Sequence, residues 1–378
     1  MYVKTRQSSV RVVCKIGVLA LFLALGGAAI AAPAMDWASF RGGPRMSGYT
    51  SESLSVPLRL QWTYETGSSI ESTAAIVGDT AYVGTMTNAL LALRVTDGTL
   101  KWKFLADDRI SASPCRAEDS VYIGDESGTF YAVDASNGRL VWKFGTGDKI
   151  MSSATAAPGA VLVGSYDNYL YKLAAATGRK IWSFKSEAQV HCSPCVVSDT
   201  VVIAGCDGAV RMIDLATGRQ RTAADIGPNF AASPAYGSGC VFVGGMGGEY
   251  ASVRLADGRI IWKVMVTRNR GASYSSAAVA GDAVIFSSRN HTVFRLHRGT
   301  GATRWVFTAG DEVDSSPVIA DNRVFFGCDD GKLYALDLAT GHKVWQFNAG
   351  ARIAASPAIA DGRLVIGSSD GAIYCFGR

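Results

Sequence analysis

The stretch Gln189–Cys195, QVHCSPC, sets a histidine beside a Cys-x-x-Cys pair. That grouping could serve as a metal corner, a redox dithiol or a haem-attachment site. Haem attachment needs the histidine after the second cysteine, whereas His191 precedes the first. In an extended strand, residues i and i+3 lie about 10 Å apart, beyond the ~7 Å reach of a disulfide. A dithiol between Cys192 and Cys195 would therefore need Pro194 to kink the strand. Cys206, across an expected hairpin, leaves a Cys192–Cys206 disulfide as a candidate. Elsewhere, Arg268 and Arg270 in VTRNRGASY (Val266–Tyr274) could meet an anionic ligand or an acidic partner surface. There is no Ser-His-Asp order or HExxH motif. Asp329-Asp330-Gly331 offers carboxylates, but Asp-Gly pairs are ordinary hairpin residues and weak evidence for calcium.

The elements that must position these residues belong to a repeat. Tryptophan recurs at Trp62, Trp102, Trp142, Trp182, Trp262, Trp305 and Trp345, at intervals of 40 residues apart from one double step and one step of 43. Thr222 stands where the missing tryptophan would fall. Runs such as AYVGT, VYIGD, VLVGS and VFFGC keep the same beat, as do turns such as Asp97-Gly98 and Asn137-Gly138. Short Val-, Ile-, Tyr- and Phe-rich runs between Gly, Asp and Asn turns read as strands and hairpins. In the last unit the pattern predicts an inner strand over Ile353–Ala360, a second over Arg363–Ser368 and a third over Ala372–Phe376. A tryptophan-bearing outer strand follows in complete units.

Four antiparallel strands per unit of this length make a propeller blade. The expected fold is all-β: an eight-bladed propeller of four-stranded antiparallel blades over 58–378. The orphan strand around Trp62 completes the last blade and leaves no sheet edge over. A large indole over a glycine turn would fill the seam between blades, which makes the tryptophans packing residues. The seam at Thr222 should be weaker. Equivalent positions on the inner strands are Glu71, Ser111, Met151, His191, Ala231, Tyr274, Asp314 and Ala354. A packing position would hold one residue type. This ring varies, which makes Glu71, His191, Tyr274 and Asp314, with Arg268 and Arg270, the candidate ligand- or partner-binding residues at the channel mouth. Cys192 and Cys195 occupy small-residue slots of the fourth unit, where a buried cysteine packs as a small hydrophobe.

The N-terminus reads as an export signal over 1–31, with bases at Lys4, Arg6, Arg11 and Lys15, an apolar run Ile16–Ile30 and a small-residue cleavage site. Residues 32–57 then form an extension. The formal charge of +5 includes four bases and no acids in 1–31, leaving 5 − 4 = +1 after processing. That removes the main support for nucleic-acid binding. An exported chain permits disulfides, but seven cysteines remain beyond Cys14 and cannot all pair internally. The cysteine after Cys14 is Cys115, so no lipid-attachment cysteine follows the apolar run. The expected location is periplasmic or secreted, with no stable membrane insertion after cleavage.

YALDLATGHKVWQF (Tyr334–Phe347), YAVDASNGRLVWKF (Tyr131–Phe144) and YKLAAATGRKIWSF (Tyr171–Phe184), with SSPVIADNRVFFGCDDG before the first, resemble the PQQ-like (quinoprotein-type) propeller repeat. The resemblance spans about 58–378. DWASFRGGPRMSGYT (Asp36–Thr50) is similar to the leader of many exported bacterial members. One branch comprises dehydrogenases that hold the quinone PQQ and calcium on the propeller axis; their longer loops and adjacent Cys-Cys pair have no counterpart here. The other is the non-catalytic, BamB-like branch of outer-membrane β-barrel assembly, compact and acting through protein contacts. The resemblance to the compact branch implies a monomeric propeller that serves as a protein-interaction scaffold in the cell envelope, with no cofactor. A PQQ-dependent enzyme and a small-molecule sensor using the channel mouth are the alternatives.

Overall fold

The computed structural model describes residues 1–2, 36–227, 230–266 and 271–378. Apart from Met1 and Tyr2, the expected signal segment 1–31 lies outside the described residues, as do Arg268 and Arg270. Residues 34–378 form the second of two compact units. Among the described residues no helix is long and apolar enough to cross a membrane.

Eight antiparallel sheets are arranged as the blades of a propeller. Blade 1 runs through Ala75–Val77, Thr80–Gly84, Ala89–Arg94 and Leu100–Leu105, from inner to outer strand. Blades 2 to 7 repeat this order, beginning at Cys115, Thr155, Cys195, Ala235, Ala278 and Val318. Blade 8 takes Ala358–Ala360, Arg363–Gly367 and Ala372–Gly377 from the C-terminus, and Arg59–Glu65 from the N-terminus as its outer strand. Leu60 pairs with Phe376 and Tyr64 with Ile373, so the two ends of the repeat close the ring as the sequence predicts.

The second and third strands of blade 8 match expectation within a residue, but the inner strand does not. Ladder pairing covers only Ala358–Ala360 of the predicted Ile353–Ala360. Nearer the axis the chain bonds sideways, between blades. Thr73 N donates to Ser113 Oγ at 2.9 Å, Ser113 N to Ser153 Oγ at 2.9 Å, and Ser153 N to Ser193 Oγ at 3.0 Å. The chain of bonds continues through Ser233, Ser276, Ser316 and Ser356. Blades 2 to 8 thus each satisfy a buried backbone N–H of the preceding blade.

A bulge before each tryptophan re-aims the indole toward the next blade. In blade 1, Leu100 pairs with Leu93 but Trp102 with Ala92. Trp102 Nε1 donates to Ala135 O of blade 2 at 2.9 Å, and its ring covers Gly138, where a Cβ would stand 2.8 Å from it. Trp345 instead packs edge-on against Phe376, with ring centres 5.8 Å apart.

The segment before the repeat is part of the fold. Trp37 exchanges backbone hydrogen bonds with Ile76 of blade 1 at 2.8 Å, and Ala38 O accepts from Arg116 of blade 2. Pro44, Arg45, Ser47 and Gly48 then accept from Val196, Tyr236, Val279 and Ile319 of blades 4 to 7. Tyr49–Thr50 adds a parallel strand to blade 7, and the Glu52 carboxylate accepts from Asp361 N and Gly362 N of blade 8. An inner strand is a sheet edge with unpaired N–H groups. This strap meets the same edge N–H, that of the middle residue, in six blades.

Candidate functional site at the axial mouth

Each inner strand is preceded by a loop that enters from one end of the axis. There Glu71, Ser111, Met151, His191, Ala231, Tyr274, Asp314 and Ala354 form one ring, with Thr73 and the serine ladder beneath. Phe40 of the strap lies below the serines, so the axis is a floored well of about 160 Å³.

On blades 6 to 8 the ring carries an ion-pair network. Asp314 receives Arg289 through Nε at 2.7 Å and Nη2 at 2.6 Å, and Arg352 Nη2 at 3.0 Å. Arg352 Nε also donates to Asp329 at 2.7 Å, and Arg289 lies 3.3 Å from Glu312. The Arg289 guanidinium sits 4.0 Å from the Tyr274 ring centre. Its hydrogen bonds to Asp314 hold it above the ordinary guanidinium value. Asp329 is raised by burial, which outweighs the opposing effect of Arg352. Carboxylate oxygens of Glu312, Asp314 and Asp329 lie within 4.8 Å of one another, a spacing a cation could bridge. The two guanidiniums already occupy that acidic cluster. Glu71 is exposed beside it, and its charge acts on Arg352.

Blades 3 and 4 present a different surface. Tyr166 Oη and His191 Nδ1 are 2.7 Å apart, and Lys149 Nζ lies 4.6 Å from the Tyr166 ring centre. Burial lowers the His191 pKa, with a smaller contribution from Lys149. Burial pushes Tyr166 up to about 12. On blade 2, Arg109 pairs with Glu126 at 2.8 Å.

The structure therefore brings Glu71, His191, Tyr274 and Asp314 to one rim. Arg289, Arg352, Lys149, Tyr166 and Glu126 were not singled out from the sequence, though they dominate its charge. For Arg289, Tyr166 and Glu126 the signal was available: the equivalent position in the turn after the second strand varies as Met86, Glu126, Tyr166, Cys206, Met246, Arg289, Asp329 and Ser369. The same criterion of variation within a regular repeat applied to them.

The expected Cys192–Cys206 disulfide is absent: both are free thiols. Cys192 Sγ turns inward and accepts from Ala204 N at 3.2 Å, while Cys206 Sγ, in the turn beyond the strand, points to Phe230 O. The two residues are not cross-strand partners, because ladder pairing starts only at Cys195 with Val202. Burial pushes the Cys192 thiol up to about 12, as expected of a packing cysteine rather than a reactive one.

A protein-family profile described as outer membrane protein assembly factor BamB matches residues 59–158, 149–285 and 256–376. A search of curated proteins finds no match. Among solved structures, BamB from Moraxella catarrhalis superposes with a TM-score of 0.75 at 19% identity, covering 85% of this chain and 98% of that one. The quinohemoprotein alcohol dehydrogenase of Comamonas testosteroni gives 0.79 at 14%, covering 91% and 81%. A europium-containing methanol dehydrogenase gives 0.79 at 13%, covering 91% and 98%. At such identities the likeness is one of fold. The family profile spans nearly all of the propeller, and the chain belongs to the PQQ-like propeller family described as outer membrane protein assembly factor BamB.

Proposed function

We propose that the protein is an exported, non-catalytic scaffold of the cell envelope that binds a partner protein across the axial mouth. The observation that carries this reading is the shape of the site. Charged and aromatic groups stand on the loops and turns around a well of about 160 Å³, below the roughly 300–1,000 Å³ of most small-molecule sites. A broad rim over a shallow well suits a macromolecular surface better than an engulfed cofactor. The family description points the same way. In this reading residues 1–31 direct export to the periplasm or beyond, and a single propeller is the working unit.

The fold is also that of a quinohemoprotein alcohol dehydrogenase and a europium-containing methanol dehydrogenase. The best-placed mouth carboxylate, Asp314, is held by two guanidiniums. Beneath the ring the well is closed by hydroxyls and Phe40. This arrangement does not fit a tricyclic quinone with a coordinated calcium.

Site-specific photo-crosslinking in intact cells tests the scaffold reading. Probes in place of Arg109, Glu312 and Arg352 should yield an adduct with one and the same envelope protein. A probe in place of Val141, on the outer strand of blade 2, should not. Adducts from Val141 alone, or none from the mouth, would overturn it.

A further inference from the structure

The seam between blades 4 and 5 lacks its tryptophan but keeps everything built to receive one. In six other seams the indole N–H donates to a carbonyl of the next blade: Val95, Ala135, Ala175, Leu215, Arg298 and Leu338, at 2.7–3.0 Å. In each, the ring lies over a turn glycine with positive φ. At the blade 7–8 seam Trp345 packs on Phe376, and at the seam between blades 4 and 5 Thr222 takes the tryptophan's place. The bulge that aims the side chain is retained, since Gln220 pairs with Ile213 and Thr222 with Met212. The turn glycine is retained as Gly258, at φ +73°. The acceptor is retained as Leu255 O, which no donor reaches among the described residues.

What remains is a cavity of about 370 Å³ lined by Met212, Thr222, Tyr236, Leu255 and Val197, with Arg221 on its rim. The seam between blades 1 and 2 also has a groove, of about 390 Å³, past Tyr82, Arg116 and Ala135. There, however, Trp102 covers the glycine and occupies the Ala135 carbonyl. Beside Thr222, open space coincides with an acceptor that no donor reaches among the described residues, while Gly258 is covered only by the small Thr222 side chain, whose Oγ1 lies 3.0 Å from where a Cβ would stand. A cavity of this size falls in the range of small-ligand sites. Met212, Leu255, Val197 and Tyr236 offer apolar contact to a flat aromatic ring. Ser198, Asp199 and Thr200 also line the cavity, and Asp199, Thr200 and Asp214 hold the Arg221 guanidinium at its rim.

We propose that this gap is a binding site for an indole-type ring, an aromatic bearing one N–H donor, which stands beside Thr222 with its N–H on Leu255 O, supplying the ring that Thr222 lacks. The site is independent of the axial mouth and of the scaffold reading. The same ring could arrive as a free heterocycle or as a tryptophan side chain of another protein.

The test uses the processed chain, with 5-fluoroindole and a capped 5-fluorotryptophan amide as ¹⁹F NMR probes. Saturable binding of either supports the site, and the tighter probe identifies the source. Thr222→Trp should abolish it by filling the gap from within. An N-methylated fluoroindole should bind about threefold to tenfold more weakly for loss of one hydrogen bond. Should Thr222→Trp fail to fold, the Met212 methyl resonance of the unaltered protein, assigned with Met212→Leu, must move under the ring current. The proposal is overturned if neither probe binds, if Thr222→Trp binds undiminished, if N-methylation has no effect, or if the Met212 methyl does not respond.

Discussion

The guanidinium of Arg41 donates to the carbonyl of Pro317 at 2.6 Å, tying the strap before the repeat to the inner strand of blade 7. The same Nη2 reaches Ala277 O of blade 6 at 2.8 Å, while Nε and Nη1 have no partner among the described residues. Burial pulls the group down to about 9, so it is charged at neutral pH. Two neutral carbonyls offset only part of the cost of burying a cation. Its bulk, filling the space around Gly48, should therefore matter more than its charge. Arg41→Met is expected to remain within about 1 kcal/mol of the parent, and Arg41→Ala to lose about 2–4 kcal/mol, both read from denaturant melts. Equal losses in the two variants would mean that the hydrogen bonds hold the strap.

The serine ladder predicts a large effect from a small change. Ser153→Ala removes one oxygen and leaves the N–H of Ser113 buried without an acceptor. The expected loss is about 1–3 kcal/mol. Ser136→Ala, in an exposed turn of blade 2, should lie within about 0.5 kcal/mol of the parent. If the two variants melt alike, inter-blade bonding near the axis is not a source of stability.

Indole docking can be probed from the glycine side. Gly138 has φ +75°, and a Cβ there would meet the Trp102 ring at 2.8 Å. Gly138→Ala should cost about 1–3 kcal/mol through strain and displacement of the indole. Gly159, also at positive φ but facing open space, isolates the backbone part. Gly159→Ala should cost only about 1 kcal/mol, and the difference between the two reports the docking.

The half-buried His191 gives a pH signature. Its pKa is lowered in the folded chain, chiefly by burial. The unfolded chain therefore binds the proton more readily, and stability rises with pH where the two states differ. The contribution is complete above the ordinary value of 6.5 and is lost as pH falls through and below it. Protonation also opposes an arrangement in which Tyr166 donates to Nδ1. Melting temperatures from pH 7.5 down to about 5 should fall more steeply for the parent than for His191→Asn. Parallel curves would show that His191 titrates alike in both states.

Much of the architecture was legible because the repeat states it many times over. Blade count, strand order within a blade and closure by the strand around Trp62 all follow from one alternating pattern. The ring of Glu71, His191, Tyr274 and Asp314 was also legible, as variation where packing would demand sameness. What could not be read was anything set by contacts between units. The inner strand of blade 8 begins only at Ala358 because earlier residues bond to the neighbouring blade 7, a relation invisible within one unit. Cys192 and Cys206 look adjacent on a hairpin drawn as continuous, but lie apart once the ladder begins at Cys195.

The sequence by itself determined an eight-bladed ring of seams, because local alternation, turn chemistry and period act within a blade or on its neighbour. It also marked Thr222 as the seam without an indole. Only the tertiary structure decided what surrounds the axis. Arg289 and Arg352 converge on Asp314 from separate blades, and a strap from before the repeat floors the well with Phe40. Those contacts depend on where closure of the ring places residues far apart in the chain, and no period in the sequence encodes that distance.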